Sequence, residues 1–442
     1  MKFTSRQLLL ASVVLSAACS SGPPTVVIVG GGVAGMAAAI EAAPAGKVVL
    51  LEADPNRLGG SAWWSQGVTA VPDDTQWPGD DPARVRYRER VQPDVLDWTA
   101  ALGITWIDLP DTSGGDIPLK APVGGGRRLS DTFAQLVERS GVEVHLGAVV
   151  TDVSSSLRVT TRSGERWDAD AVILATGGWA ADLPGVKSRL QIDPAVRVLN
   201  GAMPSSRGDA EALAADLNAS TTTPARAVLY GHGTPDPAAP ERALMVFGSN
   251  RLYFVDQTGA PQPWLGEGRG NTGQRLMDLP GKRAWAILDG ETLKVLRLQG
   301  SAIDRRVPVG EVASQVGHMA RDLETLAKQI DVPVEMLRVG VAIDKITDER
   351  PLLPNGPYVA LPLFPTTAKS ISGLRTDLSG QVLDGVGQPI AGLYAAGEAM
   401  GFGHPYGDDP VLDSSMVAGA ILTGRIVGAT VRARLRPDEP AR

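Results

Sequence analysis

The residues whose spacing speaks most directly of chemistry are Gly30, Gly32 and Gly35, with Glu52 twenty positions beyond Gly32. In a Gly-x-Gly-x-x-Gly turn the first glycine makes the tight bend, the second lets the backbone approach a pyrophosphate, and the third lets a helix pack closely on a strand. An acid at that distance accepts the hydroxyls of a ribose and repels a 2′-phosphate. Such a turn works only between a strand and a helix, and the flanks supply both. Thr25 to Val29 is a β-branched run of the kind buried on both faces of a parallel sheet, Met36 to Ala43 is strongly helix-forming, and Lys47 to Leu51 is a second apolar run that ends at the acid. Val33 and Ala34 then open the helix whose N-terminus favours an anion, and Ala53 follows the acid.

Further glycine turns recur downstream. Leu58-Gly59-Gly60-Ser61 and Gln66-Gly67 are loops against which a flavin ring can lie, Ala171 to Leu174 runs into Ala175-Thr176-Gly177-Gly178, and Gly392 to Ala396 runs into Gly397-Glu398. On these motifs the chain resembles, from about residue 25 to 430, the flavoprotein family of fumarate reductase, succinate dehydrogenase and 3-ketosteroid Δ1-dehydrogenase. The resemblance implies an α/β fold: a Rossmann-like FAD-binding domain split in sequence, with an inserted α+β capping domain. It implies that FAD meets Ala175, Thr176 and Gly177 near its adenosine, Glu398 at its ribitol chain, and Asp209 in the turn Arg207-Gly208-Asp209-Ala210. Gly141 to Thr151 reads as a hairpin strand whose Val150 meets the adenine through its backbone. Ser415, Met416 and Val417 open a helix facing the flavin pyrimidine. Family members often attach FAD through a histidine five residues before a Gln-Gly, and Ser61 stands there, so the implied FAD is non-covalent.

Hydride chemistry at a flavin needs a substrate carbon over the ring, a polarised carbonyl and one acid or base on the other side. The late loop Gly401-Phe-Gly-His404-Pro-Tyr406-Gly-Asp408-Asp409 resembles that of the ketosteroid dehydrogenases, which carry a histidine and a nearby tyrosine there. Tyr406 is accordingly expected to move a proton, with His404 beside it, and Lys369 is the third candidate, as a carboxylate-binding group or a base. The arginines of dicarboxylate reductases are not recognisable: Arg269, Arg275 and Arg283 fall on no donor position and the late clamp arginine is missing, so fumarate and succinate are not expected as substrates. Asp408 and Asp409, without clustered His or Cys, give no reason to expect a metal. The other histidines carry no functional expectation: His145 reads as lying in a strand, His232 in a glycine loop and His318 on a helix.

Residues 25–223 and 346–436 are expected to build the FAD domain and 224–345 the cap, where Ala320 to Ile330 reads as a helix followed by a second short one. Pro235 to Pro240 and the tail 437–442 read as mobile. The 442 residues, 43% apolar, are enough for two cores, and 51 glycines with 33 prolines exclude long-helix and coiled-coil classes. A net charge of −7 without a basic run excludes a nucleic-acid binder. Residues 1–21 read as a leader: Lys2 and Arg6, an apolar stretch from Leu8 to Ala18, then Cys19, the sole cysteine. This resembles a bacterial lipoprotein signal, implying lipidation of Cys19, anchoring outside the cytoplasm and a quinone or periplasmic carrier as electron partner; an ordinary cleaved leader and a cytosolic protein with an apolar tail are the alternatives. The expected activity is hydride transfer at a carbon–carbon bond next to a carbonyl or carboxylate. Its rivals are an oxidase or dehydrogenase for an amine or alcohol carbon, and a non-catalytic flavin-binding protein.

Overall fold

The structure is a computed structural model that describes residues 22–109, 117–246, 252–266, 271–300, 305–342, 352, 356–403 and 414–437. Its first sheet has six strands, in the order 381–383, 389–395, 171–174, 25–29, 47–52 and 143–146. All pair in parallel except 381–383, which runs antiparallel to its neighbour. The central strands are apolar along their whole length, and Val26, Val27, Ile28, Val172 and Ile173 have no accessible surface. Helices cover one face, chiefly Val33–Ala42 and Met416–Leu435. These two pack at backbone distance because Gly424 and Gly428 face Ala34 and Ala38, whose carbonyls would lie 2.2 and 2.5 Å from an added Cβ. The last helix is long and apolar enough to cross a membrane by composition, yet half of it is buried in the fold, and Arg425 and Arg432 tie it to Glu41.

The strand order places a topological switch beside Thr25–Val29, whose neighbours 47–52 and 171–174 are reached by connections running in opposite directions along the sheet. Ligands of open α/β sheets bind off the carboxyl ends of the strands at such a point. Gly30, Glu52, Ala175 and Gly397 all stand at those ends.

A second, nine-stranded sheet is built around the long strand Tyr358–Ser370, which pairs with 199–200, 227–236, 284–288 and 318–320. It therefore draws on 199–370, wider than the 224–345 segment read from the sequence: Tyr358–Ser370 lies beyond the boundary at 346 yet is the sheet's centre. Leu323–Ile330, capped by Asp322, and Val334–Ala342 are the two helices expected there.

Three local expectations are corrected. Gly141 to Thr151 is not one hairpin strand: Glu143–Leu146 is the edge of the parallel sheet, Gly147 turns the chain at φ +73°, and Val150–Val153 pairs in a separate three-stranded sheet. Pro235 to Pro240 is the tight end of a hairpin, held by Arg305 on Asp236 at 2.6 and 2.8 Å. His232 and His318 both lie in strands rather than a loop and a helix, and burial of His232 lowers its pKa to about 4, so its ring stays neutral.

Candidate active site

A cavity of about 540 Å³ opens off the carboxyl ends of the first sheet and extends to the second. Its floor is the fingerprint. Gly30, at φ +106°, passes so close to the next strand that a Cβ would sit 2.4 Å from the Ala175 carbonyl, and a Cβ on Gly35 would sit 1.9 Å from the Gly30 carbonyl. Gly32 differs: a Cβ there would meet nothing within 4 Å. Gly30 and Gly35 are demanded by packing. Gly32 keeps space open at the N-terminus of Val33–Ala42, where no side chain caps the helix. That end presents backbone N–H groups to the cavity.

Glu52 is fixed by the turn it serves. Its carboxylate accepts from the Gly31 N–H at 2.6 Å and the Asp54 N–H at 2.7 Å. Burial raises its pKa, against those backbone donors. Asp209 is raised by burial as well, opposed by Arg207. Glu398 is raised by burial, opposed by Ser370, Lys369 and the Gly178 backbone. Ser370 gives it both its N–H, at 2.8 Å, and its hydroxyl, at 3.0 Å. Gly178 makes room: a Cβ there would fall 1.9 Å from the Ser370 hydroxyl and 2.4 Å from the carboxylate. The strand ends thus gather three acids whose pKa values are raised, and the Thr176 hydroxyl, buried with no hydrogen-bond partner. A ligand with ribose and ribitol hydroxyls, polar ring edges and a pyrophosphate fits this set, the hydroxyls on the acids and the phosphates on the helix N-terminus.

Of the residues read from the sequence, Gly30, Gly32, Val33, Ala34, Glu52, Ala53, Gly59, Gly60, Ser61, Gln66, Val150, Ala175, Thr176, Gly177, Asp209, Glu398, Met416 and Val417 line the cavity. Gly35, Gly67, Gly397 and Ser415 stand behind its wall. Gly67 turns at φ +72° against Pro122, and Gly397 turns at φ +67° against Ala34 with its N–H on the Thr423 hydroxyl. Lys369 lines the cavity from the second sheet, at a bulge where Val228 pairs with Lys369 but Leu229 with Thr367. His404 and Tyr406 lie outside the described residues, as do Arg269 and Cys19; the flanks of that loop are described, and Phe402 lines the cavity with φ +56°. Arg275 stacks on Trp264, Arg283 stacks on Trp285 and donates to the Gln257 side-chain oxygen, and neither lines the cavity.

The sequence reading missed the wall contributed by the second sheet. Tyr230, Gln299 and Ala368 line it, as do Met203, Ser205 and Ser206 from the segment after strand 199–200. Lys369 Nζ stands 5.8 Å from the centroid of the Tyr230 ring. No local motif marks these residues, because strands far apart in sequence bring them together. Trp64 lines the cavity too.

A parallel sheet with a fingerprint turn, three acids at its strand ends and a second-sheet wall on the same cavity defines a dinucleotide-dependent oxidoreductase of the flavoprotein type. The chain belongs to the family described as FAD binding domain, which matches residues 112–407; the pattern described as pyridine nucleotide-disulphide oxidoreductase matches 24–187. It is 27% identical to a fumarate reductase (cytochrome) of Shewanella frigidimarina, over 89% of this chain and 74% of that protein. It is 25% identical to a urocanate reductase of Eggerthella lenta, over 90% of this chain and 73% of that protein. The fold is that of the 3-ketosteroid Δ1-dehydrogenase from Sterolibacterium denitrificans, with a TM-score of 0.71 at 17% identity, covering 93% of this chain and all of that one. The protein is an FAD-dependent oxidoreductase.

Proposed function

We propose that this enzyme transfers hydride to or from a carbon–carbon bond adjacent to a carbonyl or carboxylate, with non-covalent FAD as its cofactor. The observation that carries the reading is the juxtaposition, in one cavity, of a complete FAD-binding floor with a second-sheet wall bearing Lys369 and Tyr230. Three relatives support it by what their names say they reduce or dehydrogenate: fumarate, urocanate and a ketosteroid all carry a double bond or its saturated form beside a carbonyl or carboxylate. When bound, FAD supplies the hydride donor and acceptor.

The residues divide the remaining work. Lys369 holds the oxygen of the activating carbonyl or carboxylate, and Tyr230 forms the flat wall beside it. Tyr406, with His404 as its neighbour, gives or takes the proton. The N-terminus of Met416–Leu435 directs its positive end at negative charge that develops over the cavity. Among the described residues Lys369 is the only cationic side chain lining the cavity, so a substrate with one acidic or carbonyl group suits it better than a dicarboxylate. The FAD domain is built on the first sheet and its helices, and the second sheet, which draws on 199–370, forms the cap. Residues 1–21 serve as an export signal, Cys19 carries the lipid anchor outside the cytoplasm, and a quinone or periplasmic carrier exchanges electrons with the enzyme.

Tyr406→Phe keeps the ring and removes the hydroxyl. Its FAD content should equal the parent's while substrate-dependent change in the flavin's visible absorption slows by roughly 10² to 10⁴. A parental rate in that variant contradicts the assignment and points instead to Tyr230, the tyrosine that lines the cavity among the described residues. Acid precipitation should release the yellow colour into the supernatant; colour retained by the denatured chain contradicts the non-covalent reading.

A further inference from the structure

We propose that Ser370 is a positioning residue for the cofactor: from the end of the second sheet's long strand, it holds the Glu398 carboxylate in place for FAD. The inference rests on the FAD reading of the cavity and not on the bond that the enzyme oxidises or reduces.

Ser370 ends Tyr358–Ser370 and has no accessible surface. A bulge just before it sets the direction of its side chain. Val228 pairs with Lys369 and Leu229 with Thr367, so Ala368 is the extra residue. Ala368 and Lys369, neighbours that a regular strand would send to opposite faces, both line the cavity, while Ser370 turns to Glu398. The chain is pinned just beyond this point: Ile371 donates its N–H to the Arg226 carbonyl at 2.8 Å, and the Arg226 N–H donates to the Ser372 hydroxyl at 2.9 Å.

Two donors from this one residue converge on one oxygen. The Ser370 N–H lies 2.8 Å and its hydroxyl 3.0 Å from Glu398 Oε1, which leaves Oε2 for a hydroxyl of FAD in the cavity that Glu398 lines. The hydroxyl is oriented from its other side: its oxygen accepts the Trp179 N–H at 3.3 Å, so its proton is turned to the carboxylate. Trp179 is itself fixed, its indole N–H donating to the Ser372 carbonyl at 2.8 Å. The turn that carries Glu398 is held separately, by the Gly397 N–H on the Thr423 hydroxyl at 2.9 Å. Burial favours the neutral acid, against Ser370, then Lys369 and the Gly178 backbone. Lys369 is the charged side chain that acts on Glu398. The turn 175–179 has no charged residue, and Arg425, Arg432 and Arg434 of the last helix engage Glu41 and Tyr394.

A carboxylate accepts a hydroxyl more strongly than a carboxylic acid does, so FAD affinity should rise with pH as Glu398 loses its proton. Removing a donor to the carboxylate favours the protonated form and raises the pH at which that happens. The test measures FAD binding to FAD-free protein by equilibrium dialysis, from weakly acidic to weakly alkaline pH. S370A should move the midpoint upward by about one unit and weaken binding about tenfold between the two midpoints. S370C, whose thiol is a weak donor of similar shape, should fall between S370A and the parent. Glu52 and Asp209 also titrate in this cavity, so the quantity read is the difference between S370A and the parent, and it should vanish when both carry E398Q. A midpoint in S370A equal to the parent's, or a difference that persists with E398Q, overturns the proposal. So does a loss of affinity that is the same at every pH, which is what a purely structural Ser370 would give. A parent that takes up no FAD counts against the cofactor reading and takes this inference with it. Binding is read without substrate, so failure to find an oxidisable or reducible carbon–carbon bond counts against the proposed reaction and leaves this result standing.

Discussion

Gly32 and Gly35 stand three positions apart and do different work, which single substitutions can separate. Gly35→Ala forces a methyl against the Gly30 carbonyl, and is expected to destabilise the fold by about 1–3 kcal/mol, measured by urea unfolding. Gly32→Ala meets no protein atom, so its stability without FAD should match the parent's while FAD affinity falls. Equal affinity in Gly32→Ala and parent contradicts the placement of the pyrophosphate. The acids make a second residue-scale prediction. Burial of Glu398 raises its pKa, so the folded FAD-free protein holds that proton more tightly than the unfolded chain does. Stability must then fall as pH rises from the ordinary carboxylate range through the raised value. Glu398→Gln should flatten this decline in thermal unfolding of FAD-free protein and should weaken FAD binding; an unchanged slope contradicts it. At this scale the sequence was most legible where one residue type serves one backbone task, as at Gly30, Gly32 and Glu52. It was silent on Tyr230 and Gln299, because a side chain on a cavity wall carries no local signature until the sheet that presents it is assembled.

The elements tell a similar story with a different cause. Strand, turn and helix from Thr25 to Glu52 were readable because a strand buried on both faces is apolar throughout and its helix is rich in alanine. Glu143–Leu146 and Val150–Val153 were merged because an edge strand and a neighbouring hairpin have similar alternation, and only the turn at Gly147 parts them. Pro235 to Pro240 has loop composition, yet Arg305 on Asp236 holds it within the second sheet from 69 residues away. The last helix, Met416–Leu435, is where sequence hydropathy misleads most: its apolar residues serve contact with Val33–Ala42 through Gly424 and Gly428. Gly424→Ala places a methyl 2.2 Å from the Ala34 carbonyl, and should lower stability by about 1–3 kcal/mol in urea unfolding. Because Ala34 borders the cavity, FAD affinity should fall with it. A Gly424→Ala protein as stable as the parent contradicts the packing described.

For the whole molecule, the arrangement is a cavity floor from one sheet and a wall from another, folded from a chain that leaves the first sheet after strand 171–174 and returns to it at 381–395. That split was visible in the sequence because the glycine turns repeat on both sides of the insertion. The extent of the second sheet was not, since Tyr358–Ser370 is continuous with the segment that re-enters the first sheet. Location is tested on intact cells: Cys19→Ser should move the protein from the membrane fraction to the soluble extracytoplasmic fraction, and an unchanged membrane fraction contradicts lipid anchoring. The central claim concerns the reaction, and anaerobic mixing of the FAD-loaded protein with matched compounds tests it most directly. Photoreduced protein is mixed with α,β-unsaturated acids and enones, and oxidised protein with their saturated forms, while the flavin's visible absorption is followed. The account predicts that at least one pair reoxidises or bleaches the flavin with conversion between the double and single bond. A flavin that responds to none of them, or responds instead to an amine or an alcohol, contradicts it.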